Sequence, residues 1–199
     1  MISALFVETR GVYAQLGLDV WGVERDARLY DGDNRVVAHP PCERWGRYWS
    51  GGPSARVRRI KGDDGGCFAS ALASVRRCGG VLEHPEASHA YAHFGLTRPP
   101  KSGGWVEADM GWTCCVEQGH YGHPARKATW LYYRGHTRPF DLIWGPCLDR
   151  VRLDEGFHSK EERSRARATG KAPVKRLSKA QNIATPIAFA RVLVELASW

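Results

Sequence analysis

The sequence predicts an α/β fold: one domain on a mostly parallel sheet, with helices on both faces and an antiparallel edge. Three observations carry that reading. Short apolar runs with little polar alternation recur early in the chain, as strands buried on both faces do. Segments of helical periodicity separate them. Three further strand-like segments then follow one another with no helix between, which suits an antiparallel edge. The 199 residues, 43% hydrophobic and 25% charged, suffice for one good core and argue against a disordered tail.

Ala4-Leu5-Phe6-Val7 reads as the first strand, and Val12 to Leu18 as a brief helix. Asp19 to Glu24 reads as a second strand ending on an acid. Arg35-Val36-Val37-Ala38 is a third, stopped by Pro40-Pro41. Glu43 to Gly66 has no sustained period and is rich in Gly, Arg and Trp, which predicts a long surface loop. Asp63-Asp64 opens a helix over 67–77, with Phe68, Ala71, Leu72 and Val75 on one face and Gly79-Gly80 after it. Gly80 to Glu83 is a fourth buried strand, and Pro85 to Phe94 suits a helix. Trp105 to Asp109, Thr113 to Glu117 and Ala128 to Tyr133 are the late strands. The segment 135–179 reads as a short basic flap, with an exposed helix over 159–168, set between core segments 1–134 and 180–199. Thr185-Pro186 opens a last helix to about Ala197.

The net charge is +8, which favours a polyanionic partner. Arg44, Arg47, Arg56, Arg58, Arg59 and Lys61 follow one another with no acid between them, and residues 150–179 hold ten basic and four acidic groups. No apolar run reaches membrane-spanning length, and Met1 to Glu8 lacks the pattern of a signal peptide, so a cytoplasmic protein is expected, with no membrane partner. In a reducing compartment the six cysteines are free for packing, metal or catalysis.

Ligands of parallel sheets bind beyond the carboxyl ends of the strands, and Cys42 and Glu83 both fall there. The basic loop after Cys42 is expected to lower the thiol's pKa and keep it accessible, as a nucleophile needs. A carboxylate at the end of an apolar strand needs a partner. Thiolate and carboxylate at neighbouring strand ends suit nucleophilic addition to a pyrimidine. His39 and His84 flank the pair and are expected to bond to the turn. Cys114, Cys115, His120 and His123 are poorly spaced for one tetrahedral zinc site, and no metal is expected.

Four segments in order resemble the DNA (cytosine-5)-methyltransferases. Pro40-Pro41-Cys42 resembles their Pro-Cys nucleophile motif, and Val81-Leu82-Glu83-His84-Pro85 their Glu-Asn-Val motif. Tyr121 to Lys127, with Trp130 to Tyr133 after it, resembles the Tyr-Gly-x-Pro-Gln-x-Arg-x-Arg segment, and Gln181 to Pro186 the Gly-Asn-Ser-Val-x-Pro motif. The resemblance implies a Rossmann-like methyltransferase sheet that acts on DNA. Cys42 would attack C6 of a flipped cytosine and Glu83 would bond its N3/N4 edge. Phe6, Gly11, Glu24 and Asn182 would hold the donor. Arg44, Arg47, Arg56, Arg58 and Arg59 would hold phosphates, Trp45 or Trp49 would support the displaced base, and Arg126 or Lys127 would reach the pyrimidine oxygen.

The implied donor is S-adenosylmethionine, although Phe6-Val7-Glu8-Thr9-Arg10-Gly11 keeps little of the family's Phe-x-Gly-x-Gly-Gly. Two alternatives therefore stand beside methylation: the same covalent chemistry with another donor, and a catalytically silent DNA-binding protein. The short recognition region implies low sequence specificity and suits a phage gene.

Overall fold

The structure is a computed structural model that describes residues 1–51, 56–148, 151–152, 160–170 and 175–199. Seven strands form one sheet: β1 (Ile2–Leu5), β2 (Asp19–Trp21), β3 (Arg35–Ala38), β4 (Gly80–Pro85), β5 (Val106–Ala108), β6 (Gly111–Glu117) and β7 (Ala128–Arg134). Their order is β2-β1-β3-β4-β7-β6-β5. The first four are parallel, whereas β7 is antiparallel to β4, β6 to β7 and β5 to β6. Strand β6 thus runs with the parallel set and β5 forms an antiparallel edge, as the sequence predicts for an α/β sheet.

The helices are α1 (Val12–Gln15), α2 (Cys67–Cys78), α3 (His89–His93), α4 (Lys160–Thr169), α5 (Lys179–Ile183) and α6 (Ile187–Ser198). Strand residues alternate between the two faces. On one face Leu5, Val36, Ala38 and Leu82 join Phe68, Ala71, Leu72 and Val75 of α2 and Tyr91 of α3. On the other, Ala4, Val37 and Val81 meet Tyr13 of α1 and Phe189, Leu193 and Leu196 of α6. Full burial of each such large apolar side chain contributes about 2 kcal/mol, and together they fix the strand register and hence the positions of residues just past the strand ends.

Several boundaries differ from expectation for physical reasons. Strand β2 stops at Trp21, and Gly22 after it passes so near the Val7 carbonyl oxygen that a Cβ there would lie 2.4 Å from it. The helix expected from Pro85 begins only at His89, since Pro85 still pairs with Thr129 and Ser88 supplies the N-cap by accepting from the Ala90 N–H. Helix α5 was not expected, although Ser178-x-x-Gln181 forms a capping box in which each side chain meets the other residue's backbone. Within the expected flap, Val151–Arg152 and Lys175–Arg176 make a parallel two-stranded pairing and α4 lies close to the expected basic helix. Residues 149–150, 153–159 and 171–174 of that flap, and 52–55 of the basic loop, lie outside the described residues.

Candidate active site

The β3–β4 register pairs Val37 with Val81 and Ala38 with Leu82. One residue on, it brings His39 beside Glu83, on the face that carries Val37 and Val81. His39 Nδ1 is 3.0 Å from Glu83 Oε2, and its Nε2 is 2.6 Å from the Tyr13 hydroxyl. From the end of β6, Gln118 Nε2 donates to Glu83 Oε1 at 3.3 Å and to Thr129 Oγ1 at 2.9 Å. Only 13% of the His39 side chain and 12% of the Glu83 side chain are accessible, so these bonds replace water that the carboxylate has lost. Burial pushes the Glu83 carboxyl up, but the His39 hydrogen bond and the charges around it outweigh burial and hold it below its ordinary value.

Cys42 follows Pro41 at the turn after β3, where its carbonyl accepts from the Trp45 and Gly46 N–H groups at 3.0 and 2.7 Å. The residue is exposed. The expected lowering of its pKa is not found, because local desolvation and the Glu83 charge push the thiol up while Lys127 only partly opposes them. Lys127 is the cation that does act there: its Nζ donates to the carbonyls of Ala184 at 2.7 Å and Ile183 at 3.3 Å. Burial pulls the Lys127 ammonium down, and Glu83 and Cys42 push it back up. Thiol, carboxylate and ammonium are thus electrostatically coupled at one strand-end site.

A cleft of about 510 Å³ opens beside Pro41 and is lined by Phe6 to Thr9, Gly22 to Glu24, Asp26 to Arg28, and Cys67. It therefore adjoins the residue before the thiol. Phe6 and Asp26 on its wall, and Lys127 at the thiol, are three of the five described non-glycine residues with positive φ, at 59°, 44° and 42°. Each such conformation costs on the order of 1 kcal/mol, and strain of this kind gathers at binding and catalytic sites. Exposed Glu24 stands in this cleft as a hydrogen-bond acceptor, with Phe6, Ala27 and Pro41 as apolar walls.

Among the other residues named from sequence, Gly11 caps α1 and donates to the Glu8 carbonyl at 3.0 Å, outside the cleft lining. Asn182 lies in α5, next to the carbonyls that hold Lys127 and also outside that lining. Arg44 is half-buried, with one terminal nitrogen enclosed and without a hydrogen-bond partner. Arg47 pairs with Glu86 at 3.6 Å. Arg56, Arg58 and Arg59 are exposed, and Lys61 Nζ lies 5.8 Å from the centre of the Trp49 ring.

Two of these residues are committed elsewhere. Trp45 is 4% exposed, packs against Phe68, His93 and Phe94, and donates from Nε1 to Asp64 at 2.8 Å, so it is a core residue and not a surface for a displaced base. Arg126 forms a two-pronged pair with Glu117, at 2.9 Å from Nε to each oxygen, so its guanidinium is committed to that acid.

His84 faces α2, not the site. It is fully buried edge-on to Phe68, and burial lowers its pKa to about 4. Cys114 and Cys115 point into opposite cores. Tyr13, Gln118 and Thr129 were not foreseen, nor was the direct bond from His39 to Glu83. The available signal was strand parity, since His39 is two residues beyond Val37 and Glu83 two beyond Val81.

The chain matches no family model, and neither curated proteins nor solved structures are significantly similar to it. Among the described residues no helix is long and apolar enough to cross a membrane.

Proposed function

We propose that the protein modifies C5 of a flipped cytosine in DNA through a Cys42 adduct, with methylation as the reaction. The observation that carries this reading is the convergence of Cys42, Glu83 and Lys127 beside the cleft at Pro41. Together with the motif resemblance, it supports a pyrimidine site adjoining a donor site.

Cys42 Sγ, once deprotonated, forms a bond to C6, and the C5=C6 electron pair becomes available at C5. Glu83 accepts from the exocyclic N4 amino group and orients the ring. Lys127 stabilises the thiolate and supplies a positive charge to the pyrimidine oxygen. Phe6, Glu24 and Pro41 would hold S-adenosylmethionine, which supplies a methyl group when bound. Water then takes the C5 proton, the C5–H electron pair re-forms C5=C6, and the C6–S bond breaks to return the Cys42 thiolate. Because the thiol is held above its ordinary pKa, adduct formation rises with pH through the alkaline range.

A second reading keeps the covalent step with a different donor; it is favoured by Glu8, which lines the cleft at a position where the family has a glycine.

DNA containing 5-fluorocytosine tests both readings, since fluorine at C5 blocks release. With S-adenosylmethionine, wild type is expected to form a covalent adduct that is absent in Cys42→Ser. A Cys42-dependent adduct in donor-free protein points to the second reading. No adduct under either condition, with salt-sensitive DNA binding retained, overturns both in favour of a binding protein.

A further inference from the structure

Glu83 has more hydrogen-bond support than a substrate-facing acid needs to stay solvated, and the extra support comes from an ordered chain. A carboxylate only accepts, so the His39 nitrogen 3.0 Å from Oε2 carries the proton and donates. In the neutral ring Nε2 is then the acceptor, and the Tyr13 hydroxyl at 2.6 Å is its donor. Burial raises the Tyr13 phenol well above its usual value, with Glu83 adding to the effect, so Tyr13 keeps a proton that it can donate to His39. Both ring nitrogens of His39 are thus engaged, one by Glu83 and one by Tyr13. Tyr13 is held in turn by the α1 contact with α6, where it lies within the apolar core.

We propose that Tyr13 and His39 are positioning residues, a directed hydrogen-bond chain that fixes Glu83 as the acceptor at the Cys42 site and so selects a base presenting an amino donor. The proposal deepens the reading of Cys42 and Glu83 as a pyrimidine site. Gln118 donates to the other carboxylate oxygen, so Glu83 is held at both oxygens and stays an acceptor. A ring with N4–H₂ meets this acceptor favourably, whereas a ring with a carbonyl at that position places oxygen against oxygen.

The groups whose charge bears on Glu83 come from every neighbouring element. They are His39 after β3, Lys127 before β7 and His84 on β4, while Tyr13 of α1, Cys42 in the turn and Tyr91 of α3 feel its charge in return. Only His39 among them makes both a hydrogen bond and a charge contribution to the acid. Its replacement therefore reports on the acid more directly than any other change.

The test has two readouts. The first is the titration of the Glu83 carboxyl in the free protein, followed by carboxyl ¹³C NMR and assigned by its loss in Glu83→Gln. His39→Ala should move that midpoint up by about one pH unit, Tyr13→Phe should move it up by less, and His39→Asn, which restores a donor near Nδ1, should return it toward wild type. An unmoved midpoint in His39→Ala, or no return in His39→Asn, overturns the chain. The second readout is adduct formation on 5-fluorocytosine DNA, whose acid limb should shift in step with the first. If wild type forms no adduct, the pyrimidine reading fails while the titration still decides whether His39 governs Glu83.

Discussion

The carboxyl ends of β4 and β6 each present a glutamate, and the two are held in opposite ways. Glu117, at the end of β6, meets the Arg126 guanidinium and accepts from the Cys147 N–H at 2.7 Å. Glu83, on β4 just past its last pair with β3, meets the imidazole of His39 and the amide of Gln118. Burial raises both carboxyls and hydrogen bonding lowers both below their ordinary value, led by Arg126 in one and His39 in the other. The resulting ionisation is alike, but its availability differs. A guanidinium cancels the charge of Glu117 and closes a loop over it. At Glu83 an imidazole and an amide hold the carboxylate without a guanidinium fork, leaving its charge to act on Cys42 and Lys127.

The contrast is broken most severely by removing the charge at each end. Glu83→Gln should slow adduct formation by about 10² to 10³-fold while the protein remains folded, read by trapping rate against a thermal melt. If trapping is unchanged, the acid has no chemical role.

An intermediate effect comes from the neighbour of Glu83 that faces the other way. His84 titrates at about 4 in the folded chain against 6.5 ordinarily. The unfolded state therefore binds the extra proton between these values, and stability falls as pH drops from 6.5 towards 4. The loss is on the order of 3 kcal/mol, measured by urea unfolding at the two ends of the window, and His84→Leu should flatten that slope.

The smallest effect belongs to Glu117. Glu117→Gln should lower stability by about 1 kcal/mol, because Arg126 is half-exposed and regains water, with trapping unchanged. Its carboxyl is depressed, so its contribution is complete above the ordinary glutamate value of about 4.3 and is lost as pH falls through the lower folded value. A melting series from pH 6 down to pH 3 would sharpen the comparison, since the variant should lose less than wild type.

The strands were legible because each buried run is short, apolar and bounded by Gly or Pro, and Cys42 and Glu83 were legible because they stand just past or at the end of such runs. The Tyr13–His39 chain was harder to foresee, since it depends on which strands are neighbours and in what register. Trp45 looked like a surface aromatic because it lies in an Arg-rich loop. The loop folds back over the core, with Gly62 under the indole at a position where a Cβ would stand 2.7 Å from the ring. Lys127 and Arg126 could not be ranked from sequence, because the positive φ at Lys127 that separates their directions is a property of the folded turn.

The seating of Trp45 has a mechanical consequence for its neighbour three residues earlier. Its indole N–H is tied to Asp64, and the Arg44 carbonyl accepts from the Gly62 N–H at 3.0 Å. The basic loop is thus a lasso knotted at its neck, with its arginines 56, 58 and 59 out on the noose. A ligand pulling on the noose loads the knot first, and the sulfur of Cys42, on the sheet side of it, keeps its place.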